Sequence, residues 1–218
     1  MVENRIRVWD LPVRICHWGF AVLIPAMWWT AENSEMGWHK RLGIMLLALL
    51  AFRIMWGFFG SSTARFSQFL KGPAAVISYL RGRTYREIGH NPAGGWSAFA
   101  LLLVLSVQVV SGLFSGDIYD GATGPLNEHV RIGTAGQLTD LHESLFNVVL
   151  ALTALHLAAI AFYALFKKDN LVPPMLSGAK QGPAGMAGMV AAPAWRAALA
   201  ALLSGALAYW VWLGGPGL

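Results

Sequence analysis

The chain has very little cysteine: Cys16 is the single one among its 218 residues. One cysteine excludes an internal disulfide framework, and it also excludes the CxxCH motif through which haem is attached covalently. We interpret Cys16, which precedes His17, as a small apolar residue in a packed wall. Any prosthetic group would therefore be held by ligation and packing alone.

Charge is also scarce, since 12% of the residues are charged while 56% are hydrophobic, and the mean hydropathy is +0.52. Runs near or above the ~20 apolar residues that cross a bilayer recur along the chain. The pattern predicts an all-α integral membrane protein. Its five spans are predicted at about 11–30, 38–60, 93–115, 137–168 and 193–213.

These spans divide the chain into a four-helix domain at 1–168, a Pro/Gly-rich linker at 169–192 and an additional span at 193–213. No small-residue cleavage site precedes the first apolar run, so the first span is predicted to be a retained helix rather than a signal peptide. A short helix is predicted at 73–80, in the polar segment between the second and third spans.

The basic residues are distributed unevenly, with twelve of the sixteen Lys and Arg in the segments 1–14, 61–93 and 167–196. The loops at 31–41 and 116–143 carry three basic and seven acidic residues, a formal charge of −4. Basic loops face the cytoplasm. The amino terminus is therefore predicted inside and the carboxyl terminus in the periplasm of a bacterial inner membrane. The net charge of +5 follows this sidedness and does not indicate nucleic acid.

Two histidines, His142 and His156, lie inside the fourth span, 14 residues apart. This spacing is within about 40° of four full turns and separates the rings by ~21 Å along the axis. Ionisable groups inside a span are rare and usually functional. One hypothesis is that each histidine is hydrogen-bonded independently to a neighbouring helix. The shared phase favours the other hypothesis, in which each ring binds one of two stacked haems.

Depth sorts four span histidines into two levels. His17 begins the first span at the cytoplasmic side and is predicted to pair with the deeper His156. His39 begins the second span at the periplasmic side and is predicted to pair with His142. Facing helices of a bundle commonly supply ligands in this way. A bis-histidine haem has no open iron position for oxygen, so it suits electron transfer.

Arginine and lysine near these levels are candidates for contact with haem propionates. Arg53 follows His39 by 14 residues and repeats its phase at the inner level. A buried arginine there requires a partner, for which a propionate is suitable; the alternative is snorkelling to the interface. Arg14, Lys40 and Arg41 are predicted to contact propionates or phospholipid head groups.

The third span begins after a short polar motif that includes His90. Asn91 is predicted to cap this helix, with Pro92 as its first residue, just as Asp10 is predicted to cap the first span. His90 and Asn91 either form the rim of a quinone pocket or merely start the helix. His129 is interpreted as an ordinary loop histidine.

Several sequence pieces together resemble the prokaryotic cytochrome b561 family, which includes the dihaem cytochrome b subunits of membrane-bound nickel–iron hydrogenases. The pieces are RICHWGF at 14–20, HKRLG at 39–43, LAFRIMWGF at 50–58, GHNPAGG at 89–95, and the pair His142 and His156. The resemblance covers about residues 5–168. It implies a four-helix transmembrane bundle with two non-covalent b haems, ligated by His17, His39, His142 and His156. The fifth span and its linker depart from this pattern.

The resemblance implies electron exchange between a periplasmic partner, a c-type cytochrome or an oxidoreductase subunit, and the membrane quinone pool. A stand-alone superoxide:quinone oxidoreductase is the alternative, and a haem or metal transporter is a third class. The acidic outer loops favour the first, because they attract a basic cytochrome and repel an anionic substrate. Whether the chain has an enzymatic quinone site of its own, and whether it forms a homo-oligomer, is left open.

Overall fold

A computed structural model describes residues 4–83, 88–116, 122–183 and 185–217 of the chain. Eight α-helices are present among these residues. Their bounds are Leu11–Glu32 (α1), Met36–Phe59 (α2), Phe66–Phe69 (α3), Pro73–Leu80 (α4), Pro92–Phe114 (α5), Ile132–Leu165 (α6), Val172–Ser177 (α7) and Ala194–Trp212 (α8). Short 3-10 helices occupy Ser62–Ala64 and Asn127–His129, and two strands occupy Asn4–Arg7 (β1) and Ala179–Gly182 (β2).

Five of the helices, α1, α2, α5, α6 and α8, are long and apolar enough to cross a membrane. This finding confirms the predicted all-α multi-pass membrane protein, to which β1 and β2 add one small sheet. The helices begin and end close to the predicted bounds, and α4 matches its prediction at both ends. The exception is α6, which begins at Ile132, five residues before the predicted start. Its first turns are polar and glycine-containing, so hydropathy alone did not assign them to the helix.

Side-chain caps begin two of the spans, as predicted. The carboxylate of Asp10 accepts a hydrogen bond from the backbone N–H of Val13 (2.8 Å) at the start of α1. The side-chain oxygen of Asn91 accepts one from the backbone N–H of Gly94 (2.7 Å) at the start of α5. Each cap satisfies a donor that the first turn of a helix leaves without an intrahelical partner.

The described residues group into two compact units. The first draws on Met1–Ile15, Arg53–Leu101 and Leu152–Ala198, and the second on Cys16–Phe52, Leu102–Ala151 and Leu199–Leu218.

In the first unit, the segment predicted as a linker is folded against the start of the chain. Strands β1 and β2 pair antiparallel, with Asn4 opposite Gly182 and Arg7 opposite Ala179. Gly178 ends α7 in the left-handed conformation (φ 81°). Its carbonyl accepts hydrogen bonds from the backbone N–H groups of Val8 (2.8 Å) and Trp9 (3.1 Å).

In the second unit, α1 and α2 approach closely. A Cβ on Gly19 would lie 2.4 Å from a methyl carbon of Leu49, so the missing side chain permits this contact. Cys16 is buried, and its sulfur lies 4.0 Å from the Leu49 carbonyl oxygen. It therefore occupies a packed wall, as the sequence indicated.

Asp10 is expected to contribute strongly to the stability of the first unit. Besides its cap, its second carboxylate oxygen accepts a hydrogen bond from the indole N–H of the buried Trp56 (2.8 Å). Asp10→Ala removes both contacts and should lower the free energy of unfolding by about 2 kcal/mol. Thermal unfolding in detergent measures this. Asp10→Asn, which keeps one acceptor oxygen, should lose less, and an Asp10→Ala midpoint equal to the wild type would contradict the assignment.

Candidate functional site

In the second unit, the imidazole rings of His39 on α2 and His142 on α6 lie close together. Their ring centres are 6.2 Å apart and their planes are nearly perpendicular, at 85°. Both side chains are half-buried. The structure thus brings together the two histidines that the sequence predicted to form the outer pair.

Hydrogen bonds orient both rings in the same way. Nδ1 of His39 lies 3.0 Å from the Met27 carbonyl oxygen, and Nδ1 of His142 lies 2.8 Å from the Gln108 carbonyl oxygen. A carbonyl can only accept, so each Nδ1 carries the proton and donates it. Nε2 of each ring therefore keeps its lone pair. Metal-binding histidines commonly have this arrangement, in which a hydrogen bond at one nitrogen directs the other towards the metal.

A buried hydroxyl accompanies each of these carbonyls. Thr30 donates to the Met27 carbonyl (2.9 Å) and lies 3.2 Å from Nδ1 of His39. Ser111 donates to the Gln108 carbonyl (3.0 Å) and lies 3.4 Å from Nδ1 of His142. Sequence reasoning missed both residues. The available signal was a hydroxyl on an apolar span, which is common in membrane helices and does not by itself indicate a site.

Gly112 of α5 allows the His142 ring to occupy its position. A Cβ at residue 112 would lie 2.6 Å from Cε1 and 2.9 Å from Nδ1 of that ring. Real Cβ atoms do not approach so closely, so a side chain there would displace the imidazole. In addition, the side-chain amide of Gln108 donates to the backbone carbonyl of His142 (2.9 Å). Helix α5 thus helps to position His142, a candidate ligand on α6.

The geometry of this pair fits a single metal ion held between the two rings. Imidazole–metal bonds are ~2 Å long and the nitrogen lies roughly 1 Å from its ring centre, so two rings on opposite sides of one ion have centres about 6 Å apart. The spacing of His39 and His142 agrees with this value. His39 and His142 would each contribute one imidazole nitrogen to such an ion.

The two histidines predicted for the inner level belong to different units. His17 lies on α1 in the second unit and His156 on α6 in the first, and both are half-buried. Their pairing stays a prediction. Arg53, in the first unit, is 6% exposed. Its guanidinium donates to the Ala64 carbonyl (3.5 Å) and lies 5.8 Å from the centre of the Phe66 ring. The burial of Arg53 disfavours snorkelling to the interface. Its contact with a haem propionate stays a prediction.

The other cationic candidates have contacts that the sequence did not predict. Arg14 donates through Nε to the Met175 carbonyl (3.3 Å) and through its terminal nitrogen to the Leu176 carbonyl. A guanidinium suits the carbonyls at a helix C-terminus, here that of α7. Arg41 is exposed and lies 5.1 Å from the centre of the Trp38 ring. Lys40 is half-buried. A role for these residues at propionates or lipid head groups stays a prediction.

His90 lines a cavity of about 250 Å³ in the first unit. Its ring packs against Trp9 and Phe69, with centre-to-centre distances of 4.8 Å in both cases. The wall combines polar and apolar groups. It includes Thr63, Phe69, Ile88, His90, Met186 and Ala187. Ser62 and Gln68 also line the cavity, so polar and apolar residues contribute equally to its wall. A cavity of this size and lining can hold a small molecule that has both polar and apolar groups.

Asn91 connects the start of α5 with two tyrosines. Its side-chain N–H donates to the Tyr163 hydroxyl (2.9 Å), and that hydroxyl is also hydrogen-bonded to the hydroxyl of Tyr79. Burial, and then the negative charge of Asp169, raises the pKa of Tyr79 above its usual value. Tyr79 therefore stays protonated at neutral pH. The prediction that Asn91 is a helix cap is confirmed, and these contacts give it a second structural role.

Two of the acidic residues predicted to attract a partner, Asp117 and Asp120, lie outside the described residues. Glu128 is exposed within the 3-10 helix Asn127–His129. The exposed His129 donates from Nε2 to the Gly214 carbonyl (2.7 Å), a contact that is structural.

These features define a multi-pass membrane protein with a histidine pair suited to binding a metal-containing group between its helices. The family model of the prokaryotic cytochrome b561 matches residues 8–178. The chain belongs to this family, and it is accordingly a transmembrane b-type cytochrome of electron transfer. No match was found among curated proteins, nor among solved structures. The match confirms the resemblance read from the sequence, and it ends before β2 and α8.

Proposed function

We propose that this protein binds two b haems and transfers electrons between a periplasmic redox partner and the membrane quinone pool. In this proposal α1, α2, α5 and α6 form the haem-binding bundle, and α8 is an addition to it. The facing pair His39 and His142, with both Nε2 atoms available, is the observation that carries the proposal.

His39 and His142 would hold the outer haem through Nε2, while Met27 and Gln108 keep each Nδ1 protonated through their carbonyls. The inner haem is assigned to His17 and His156 from their predicted depth in the spans. A b-type haem with two histidine ligands supplies one-electron transfer and offers no open position to oxygen. The four histidines are the only haem contacts that this proposal assigns.

We place quinone reduction at the cavity lined by His90. Reduction of a quinone to a quinol consumes two electrons, delivered one at a time from the reduced cytochrome, and two protons from water. The apolar residues of the wall suit the quinone ring, and the polar residues suit its two oxygens. The imidazole of His90 can donate a proton to a quinone oxygen and take up another from water.

The periplasmic partner is proposed to be a c-type cytochrome or an oxidoreductase subunit. The support is the acidic balance of the loops at 31–41 and 116–143, which carry seven acidic and three basic residues. A partner with a basic face would be steered towards such loops. The same balance repels superoxide, so the electron-transfer subunit is the function we propose. We also propose that the protein lies in the bacterial inner membrane with its amino terminus in the cytoplasm, because basic loops face the cytoplasm.

His90→Ala should slow quinone-linked oxidation of the reduced haems by about tenfold to a hundredfold, because it removes a proton donor at the quinone. Stopped-flow absorbance at the haem bands measures the rate, after full haem content has been verified. His129→Ala is the matched control and should react like the wild type. Asn91 is not among the residues that line the cavity, so Asn91→Ala should keep quinone kinetics close to those of the wild type. Wild-type kinetics in the His90 variant, with a quinone analogue perturbing only the outer haem, would refute this location.

A further inference from the structure

The cavity lined by His90 is completed by a segment that lies outside the family match. The match ends at residue 178, whereas Met186 and Ala187 line the cavity together with Phe69, Ile88 and His90. We propose that this C-terminal segment forms part of the quinone site and that Met186 determines which quinone rings it accepts. The inference rests on the proposed quinone function of that cavity.

Backbone contacts hold the segment in place on both sides of Met186. Before it, β2 pairs with β1 over four residue pairs, from Asn4–Gly182 to Arg7–Ala179. After it, the N–H of Met189 donates to the Arg7 carbonyl (2.8 Å). The N–H of Ser62 donates to the Val190 carbonyl (3.0 Å). A chain anchored at two points by backbone hydrogen bonds presents its side chains at defined positions.

Two serines strengthen the second anchor. The Ser62 hydroxyl accepts from the N–H of Val190 (3.0 Å), and the Ser61 hydroxyl accepts from the N–H of Ala192 (3.1 Å). Ser61 is 2% exposed. These serines immediately precede Thr63, which itself lines the cavity. The anchor and the cavity wall are therefore built from the same short stretch of chain.

The side chains at the wall suit an aromatic or quinonoid ring. Met186 is half-buried, and its sulfur lies close to β2, since a Cβ on Gly182 would be 3.6 Å from it. A thioether is polarizable and adapts its shape to a flat ring, and it contacts aromatic rings favourably. Ala187 adds little bulk beside it. At about 250 Å³ the cavity suits a quinone head group, while an isoprenoid tail would extend beyond it.

The test compares substitutions at Met186 with the same substitutions at Met189, in the full-length haem-loaded protein. Met189 belongs to the same segment but lines a different cavity, with Arg7, Trp9 and Arg14. The kcat and KM of haem oxidation are measured for soluble short-tail quinones with small and with bulky ring substituents. Met186→Trp should raise KM about tenfold for the bulky ring with a smaller change in kcat. Met186→Ala should shift the kcat/KM ratio towards the bulky ring, and both Met189 variants should match the wild type.

The outcomes separate this inference from the proposed function. If Met186 and Met189 variants have the same quinone selectivity while His90→Ala remains slow, the role of the C-terminal segment is refuted and the quinone site stands. If the wild-type protein, fully loaded with haem, is not oxidised by any quinone, the proposed quinone function fails and the inference fails with it. A change of selectivity confined to the Met186 variants supports both.

Discussion

His39→Ala and His142→Ala are each expected to remove the outer haem and to leave the inner one. The content should fall from about two haems per chain to about one, because a single imidazole cannot keep a non-covalent haem in six-coordinate form. Alanine removes the whole imidazole, including the Nδ1–H that donates to the carbonyl of Met27 or Gln108. The loss of the outer haem should therefore be nearly complete in both variants. The measurement is haem per polypeptide, from the pyridine haemochrome and amino-acid analysis.

The partner variants test the pairing. His17→Ala and His156→Ala should remove the inner haem, and the double variant His39→Ala/His142→Ala should lose no more haem than either single variant. His129→Ala, at an exposed loop histidine, should keep both haems. If His39→Ala and His17→Ala emptied the same haem position, as judged by the spectrum and midpoint potential that remain, the two-level pairing would be wrong.

Gly112→Val is expected to disrupt the outer haem without altering a ligand. Even the Cβ would lie 2.6 Å from Cε1 of His142, so the imidazole must move, and the ring would no longer be aligned with the ring of His39. Changes around a metal ligand typically weaken metal affinity by about 10-fold to 100-fold. Gly112→Ala should show a smaller loss of the same kind. Haem retention during dilution in detergent, followed at the outer haem band, measures the effect.

Gly136→Ala is the matched control for this prediction. It lies on α6, the helix that carries His142, and an added Cβ would have no atom within 4 Å. This variant should retain both haems and should be slightly stabilised, because alanine favours the helix. Equal haem retention in Gly112→Val and Gly136→Ala would show that the close approach of α5 is not required.

The helices and caps could be predicted from the sequence because they depend on local chemistry. Hydropathy located the ends of all five spans to within five residues, and Asp10 and Asn91 were recognisable as caps. Helix direction and depth also predicted that His39 and His142 lie at the same level, whereas their role as haem ligands stays a prediction. The structure brings these two rings together in one unit. Depth made the same prediction for His17 and His156, and it stays a prediction.

The features that the sequence did not reveal depend on contacts between distant segments. Nothing local indicates that Gly112 faces an imidazole, or that Thr30 and Ser111 both lie beside an Nδ1 atom. The segment 169–192 was interpreted as a linker because its composition is rich in Pro, Gly and Ala. Its strand β2 forms through pairing with β1, more than 170 residues earlier. Such pairing leaves no periodic signal in four residues, so only the structure could reveal that Met186 reaches the His90 cavity.

The central claim is that one chain binds two b haems, each between two histidines. The most direct test is the haem-to-polypeptide ratio of the purified wild-type protein, combined with low-temperature electron paramagnetic resonance of its oxidised form. We expect about two haems per chain, both low-spin, because two imidazole ligands leave no open iron position. A ratio of about one, or a stoichiometric high-spin signal from an iron with an open position, would contradict the claim.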